Sequence, residues 1–250
     1  MKATYAGILA VVCVLALSPM ARADWDPTMP SKMHWPQLPD PNGWDVLVTQ
    51  PKILADDFKC TQTGPITDVH FWGSWKDDII GQLSSIHLSI HADDRTGAFS
   101  KPANPPLWSW ATTDFKIVPV DPPSLQGWYD PNQQLWLPQN HRQYFQYNIE
   151  IPAADAFLQK EGNIYWLDIS TTVAPDTRKP LFGWKTSLSQ HFEDDAVWAD
   201  IPTGTVPAWQ ELKYLTGGSM DLAFVITPEP ATLCLLGLGA ASLLARRRRK

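Results

Sequence analysis

Ser84-Ser85-Ile86-His87-Leu88-Ser89-Ile90-His91 alternates with a period of two. Ile86, Leu88 and Ile90 fall on one face, and Ser85, His87, Ser89 and His91 on the other, the pattern of a strand with one buried side. The same period recurs on both sides of this stretch. Gln143 to Ile151 sets Phe145, Tyr147, Ile149 and Ile151 against Tyr144, Gln146, Asn148 and Glu150. Asn163 to Ser170 sets Tyr165, Leu167 and Ile169 inside and leaves Trp166 and Asp168 together on the other face. Ile66 to Trp72, Thr113 to Val118, Leu181 to Ser187 and Met220 to Ile226 are further short strands. Asn104-Pro105-Pro106, Asp121-Pro122-Pro123, Asp130-Pro131-Asn132 and Pro202-Thr203-Gly204 punctuate them. Only Ala153 to Glu161 reads as a helix, with Gly162 as its stop. Short strands with Pro/Gly turns predict an all-β fold, a single antiparallel β-sandwich of jelly-roll type over residues 53–226. Residues 24–52, rich in Pro and Trp, precede it as an extended segment.

The two ends read differently. Ile8 to Leu17 is an apolar core after Lys2, and Ala21-Arg22-Ala23 is an A-x-A cleavage signal, so residues 1–23 read as a secretory signal peptide. At the other end, residues 227–250 hold Pro228, Glu229 and Pro230, an unbroken apolar run over 231–245, then Arg246, Arg247, Arg248, Arg249 and Lys250. Fifteen residues make a helix of about 22 Å, a short transmembrane span. Five cations behind it stay cytoplasmic, which leaves everything before Pro228 outside.

A Pro-Glu-Pro triplet, a short apolar helix and a terminal Arg cluster resemble the PEP-CTERM sorting tail of exported bacterial proteins. The resemblance implies recognition by an exosortase-type membrane transpeptidase, cleavage near Pro228 to Pro230, and delivery to the outer surface or extracellular matrix. Signal peptidase is the partner implied at Ala21 and Ala23. The body carries a second resemblance. Gly43-Trp44-Asp45-Val46, Leu54-Ala55-Asp56-Asp57-Phe58-Lys59-Cys60, His70-Phe71-Trp72-Gly73-Ser74-Trp75, Tyr165-Trp166-Leu167-Asp168-Ile169 and Phe182-Gly183-Trp184-Lys185-Thr186-Ser187 are similar to an uncharacterised exported domain found with the same tail. It would cover residues 35–226 and implies no activity.

Without its two ends the chain keeps 13 basic and 25 acidic side chains, a net charge of −12 that repels nucleic acid and anionic lipid. Cys13 and Cys234 lie in the removable ends, so Cys60 stands alone and no intramolecular disulfide or thiolate zinc site forms.

Thirteen Trp in 250 residues is the main compositional anomaly. Indole faces stack on sugar rings, although most Trp on strands are core. Trp108 and Trp110 on one strand face, and Trp128, Tyr129 and Trp136 flanking a turn, are the candidate glycan contacts. The acidic groups Asp56-Asp57, Asp77-Asp78, Asp93-Asp94 and Glu193-Asp194-Asp195 read as turn residues, with Glu193, Asp194 and Asp195 the candidate ligands of a structural calcium ion. Asp168 beside Trp166 is the place to look for a glycosidase acid. There is no G-x-S-x-G, H-E-x-x-H or phosphate loop, and His87 and His91 lie about 13 Å apart on a strand, too far to chelate one metal. No catalytic residue and no required cofactor are assigned. The expectation is a non-enzymatic surface protein associated with extracellular polysaccharide. The alternatives are a purely structural envelope protein and a polysaccharide hydrolase.

Overall fold

The computed structural model describes residues 25–188, 190–201 and 207–228. The signal peptide with Ala21 and Ala23, the apolar run 231–245, and Glu229, Pro230 and Arg246 to Arg249 lie outside the described residues. The described residues form one compact unit.

Seventeen strands follow in chain order: β1 (Trp44–Leu47), β2 (Lys52–Lys59), β3 (Gly64–Ile66), β4 (Asp68–Trp75), β5 (Leu83–Asp94), β6 (Lys101–Pro102), β7 (Trp108–Thr112), β8 (Lys116–Pro119), β9 (Gln126–Asp130), β10 (Leu135–His141), β11 (Tyr144–Glu150), β12 (Phe157–Gln159), β13 (Ile164–Val173), β14 (Phe182–Lys185), β15 (Val197–Asp200), β16 (Gln210–Glu211) and β17 (Phe224–Thr227). One large sheet runs β10-β9-β1-β14-β4-β11-β8, with β17 also on β4. The long β4 accommodates this because β14 pairs with its last residues and β17 with its first. The second large sheet runs β16-β15-β2-β13-β5-β6, with β7 also on β5. β3 and β12 form a separate pair. Between the described strands pairing is antiparallel except for β1 and β9, which run parallel, and Thr49 and Thr171 add an isolated parallel bridge.

Both large sheets line one hydrophobic core. Phe58 of β2 meets Phe224 of β17 edge to face across it at 5.9 Å, and Ile86, Leu88 and Ile90 point into it as their alternation requires. The Pro/Trp-rich start belongs to the same unit. Its backbone bonds to β17 through Lys32 to Ile226 and Gln37 to Phe224, and Trp25 packs at 5.9 Å from Trp72.

Two expectations fail here. Residues 153–161 are not helical: a turn leads into β12, where Phe157 to Gln159 pair with Gly64 to Ile66. Tertiary pairing overrides a weak local helix preference. The polar face of β13 is not a solvent face either. Trp166 and Asp168, opposite the core face of β13, are both buried, because loops and β15 close over them with a second small core around Ile53, Ala55, Val197 and Trp209.

Candidate functional site

β7 is Trp-Ser-Trp-Ala-Thr, a period-two strand that pairs with β5 alone among the described strands. Alternation sends Trp108 and Trp110 to the core side, opposite Ile90 and Leu88, but at an edge they remain half-buried. Their rings lie nearly parallel, 18° apart with centroids at 6.4 Å. Trp108 Nε1 donates to the Asp155 carbonyl at 2.6 Å, which fixes its ring. From β7 the chain runs through Thr113 and Phe115 into an open groove of about 240 Å³ between the sheets, lined also by Trp75, Leu83, Ile117 and Tyr147. Ile117 on the facing edge strand β8 is 46% exposed. Neither Trp108 nor Trp110 lines the groove itself; both pack against the core and keep part of their surface in solvent.

The other aromatic candidates are elsewhere. Trp128 is 0% exposed, and Tyr129 is buried under Trp136 with ring centroids at 3.7 Å. Gly183 makes room for Trp128: a Cβ there would stand 2.8 Å from its ring. Neither Trp128 nor Tyr129 offers a face to a ligand.

Two polar groups resemble catalytic sets. Asp45, Ser74 and His141 come together under the first sheet, but one nitrogen, His141 Nε2, meets both Ser74 Oγ at 2.7 Å and Asp45 Oδ2 at 2.9 Å. A working triad needs the acid on one ring nitrogen and the hydroxyl on the other. Lys185 completes this buried group, 3.4 Å from Asp45 Oδ2 and bonded to Gln126 Oε1. Burial pushes the Asp45 carboxyl up, but Lys185 and His141 outweigh it and hold the carboxyl below its ordinary value. Asp168, the candidate glycosidase acid, is buried 2.5 Å from His91 Nε2. The other nitrogen of His91 faces the Ala103 carbonyl at 2.7 Å. Burial opposes charge on His91, yet two acceptors outweigh it and raise its pKa.

The acidic groups divide. Asp78 accepts the N–H groups of Arg142 and Gln143, and Asp94 those of its own turn at Thr96, as turn residues do. Asp56 and Asp57, read as a turn, instead lie inside β2 and are buried. Asp56 accepts from Gln37 and from the Leu222 N–H, both at 2.7 Å. Among the candidate calcium ligands, Glu193 bonds to Arg95 at 2.5 Å, Asp194 lies 3.9 Å from it, and Asp195 pairs with Lys213 at 3.4 Å. As the side chains stand, no group of three or more His, Cys, Asp or Glu among the described residues converges closely enough to hold a metal ion.

The family model described as domain of unknown function (DUF7901) matches residues 33–227, and the PEP-CTERM protein-sorting motif matches residues 227–250. No curated protein and no solved structure matches the chain. The chain belongs to the DUF7901 family and carries a PEP-CTERM sorting tail, which marks it as an exported bacterial envelope protein and a substrate of an exosortase-type processing system.

Proposed function

We propose that this protein is a non-enzymatic β-sandwich that associates with extracellular polysaccharide at the outer surface, after a signal peptide and a transient membrane helix have been removed. The observation that carries the reading is the nearly parallel, half-buried pair Trp108 and Trp110 on an edge strand whose continuation, Thr113 and Phe115, lines an open apolar groove. Indoles held this way present flat faces to the C–H faces of sugar rings with little ordering cost on binding. No Asp, Glu or His lines the groove, whereas glycoside hydrolysis takes two acids flanking the bond, so the lining favours binding over cleavage. Retention on immobilised polysaccharide by the wild type, lost in a W108A/W110A variant that remains folded by circular dichroism at the assay temperature, supports it; equal retention of both contradicts it.

The burial of Trp25, Trp72, Trp128, Trp166 and Trp184 favours a second reading, a purely structural surface protein whose Trp are all core filler. That protein would bind no glycan with either sequence.

A further inference from the structure

Asp57 is a buried carboxylate without a partner. The residue is 1% exposed, and neither of its oxygens accepts a hydrogen bond. It lies directly opposite Trp166 of β13, whose Nε1 donates at 3.0 Å to Asp93 Oδ1. β15 pairs with β2 as far as Val197 opposite Ala55, and Asp195 stands in the chain two residues before that pair. Asp195 Oδ1 is likewise buried and unpartnered. Asp194 is also close: with burial first, the charges of Asp56, Asp194, Asp221 and Asp93 push the Asp57 carboxyl up to about 10.

A carboxylate in this position takes up either a proton or a cation, because uncompensated burial of its charge is too costly. Six further acids belong to this group, Asp56, Asp93, Glu193, Asp194, Asp195 and Asp221, against the basic groups Arg95, Lys213 and His191. One proton on Asp57 does not balance the rest. The donors are all oxygen, and His91 on the same face has both ring nitrogens engaged, so the group suits a hard cation rather than zinc or copper. Asp93 also lines an open cleft together with Arg95, Asn163 and Glu193.

We propose that Asp57 is the inner ligand of a calcium site completed by Asp93, Asp194 and Asp195. Asp194, 28% exposed on its loop, is the ligand that swings inward when the ion enters, since the carboxylates do not converge without it. Arg95 pairs with both Asp93 and Glu193, and it stays with Glu193 at the rim when Asp93 turns to the ion.

The test is calorimetric titration of the full chain, purified in mild detergent and stripped with a chelator, using calcium chloride and then magnesium chloride. Calcium should bind one to one, with Kd on the order of 10⁻⁴ to 10⁻³ M as in other exported modules. At ten times Kd it should raise the melting temperature by about 3–6 °C. Magnesium should not substitute. Asp57→Asn should weaken calcium binding at least tenfold yet melt higher than wild type in chelator, because folding no longer requires proton uptake at this position. Asp194→Asn, at a partly exposed loop position, should weaken binding without altering the fold. Absence of calcium heat and of a melting shift in the wild type, or wild-type affinity in Asp57→Asn, overturns the site.

Discussion

Replacing Lys185 by Met tests how the first sheet tolerates charge beneath it. Lys185 and Asp45 are both 0% exposed and lie 3.4 Å apart. At an effective dielectric constant of about 20 their attraction is about 5 kcal/mol. Met keeps the stem and its packing but leaves Asp45 with His141 as its remaining partner of ionisable type. Removing one partner of a buried pair costs about 3–5 kcal/mol, which for a chain of this size lowers the melting temperature by about 6–20 °C. The double variant D45N/K185M removes both charges and should recover most of the loss, since an uncharged pair of similar volume is often neutral. Chemical denaturation of wild type, both singles and the double gives the coupling directly. If K185M lies within about 1 kcal/mol of wild type, or the double is as damaged as the sum of the singles, the pair does not hold the sheet as described.

In chelator, Asp57 should make stability fall as pH rises. The unfolded chain releases this proton near the ordinary carboxylate value of 3.8 while the folded chain keeps it up to about 10, so the contribution is complete below the first value and is lost across that window. Urea denaturation between pH 5 and 8 should show a slope of at most about 1.4 kcal/mol per pH unit from this group, absent in Asp57→Asn. Gly183→Ala places a methyl 2.8 Å from Trp128 and 3.1 Å from the Asp45 Cβ, and should cost about 1–3 kcal/mol by overpacking in thermal melts. Trp128→Ala should lose about 3–5 kcal/mol of stability but leave polysaccharide affinity unchanged in the residual folded protein, the reverse of W108A/W110A. Replacing Arg246 to Arg249 with Ser should block C-terminal processing, visible as a larger band in the membrane fraction.

Period-two alternation made the framework legible. Ile86, Leu88 and Ile90, and Tyr165, Leu167 and Ile169, occupy the core as their spacing requires. Alternation could not reveal that the opposite faces are also covered, because whatever covers them comes from distant segments: Trp25 over one sheet, the 190–196 loop and Trp209 beside the other. That long-range covering is why Trp166, Asp168 and His91 are buried despite a polar-looking stripe. Asp56-Asp57 was misread as a turn for the same reason. The apolar neighbours Ile53, Leu54, Ala55 and Phe58 were the signal that these acids lie within a strand. Trp108 and Trp110 were separable from the other Trp by sharing one strand face, but that their strand is an edge depends on sheet order, which no local pattern encodes. The sorting tail, by contrast, is a linear signal read without folding, and it was complete in the sequence.

The most direct measurement is a binding isotherm of the purified full chain against a panel of neutral and acidic polysaccharides, followed by intrinsic Trp fluorescence. The account predicts saturable binding to at least one glycan, with an emission change that disappears in W108A/W110A and persists in a variant altered only at the buried Trp128. Absence of binding across the panel, or binding that survives loss of both Trp108 and Trp110, would contradict it.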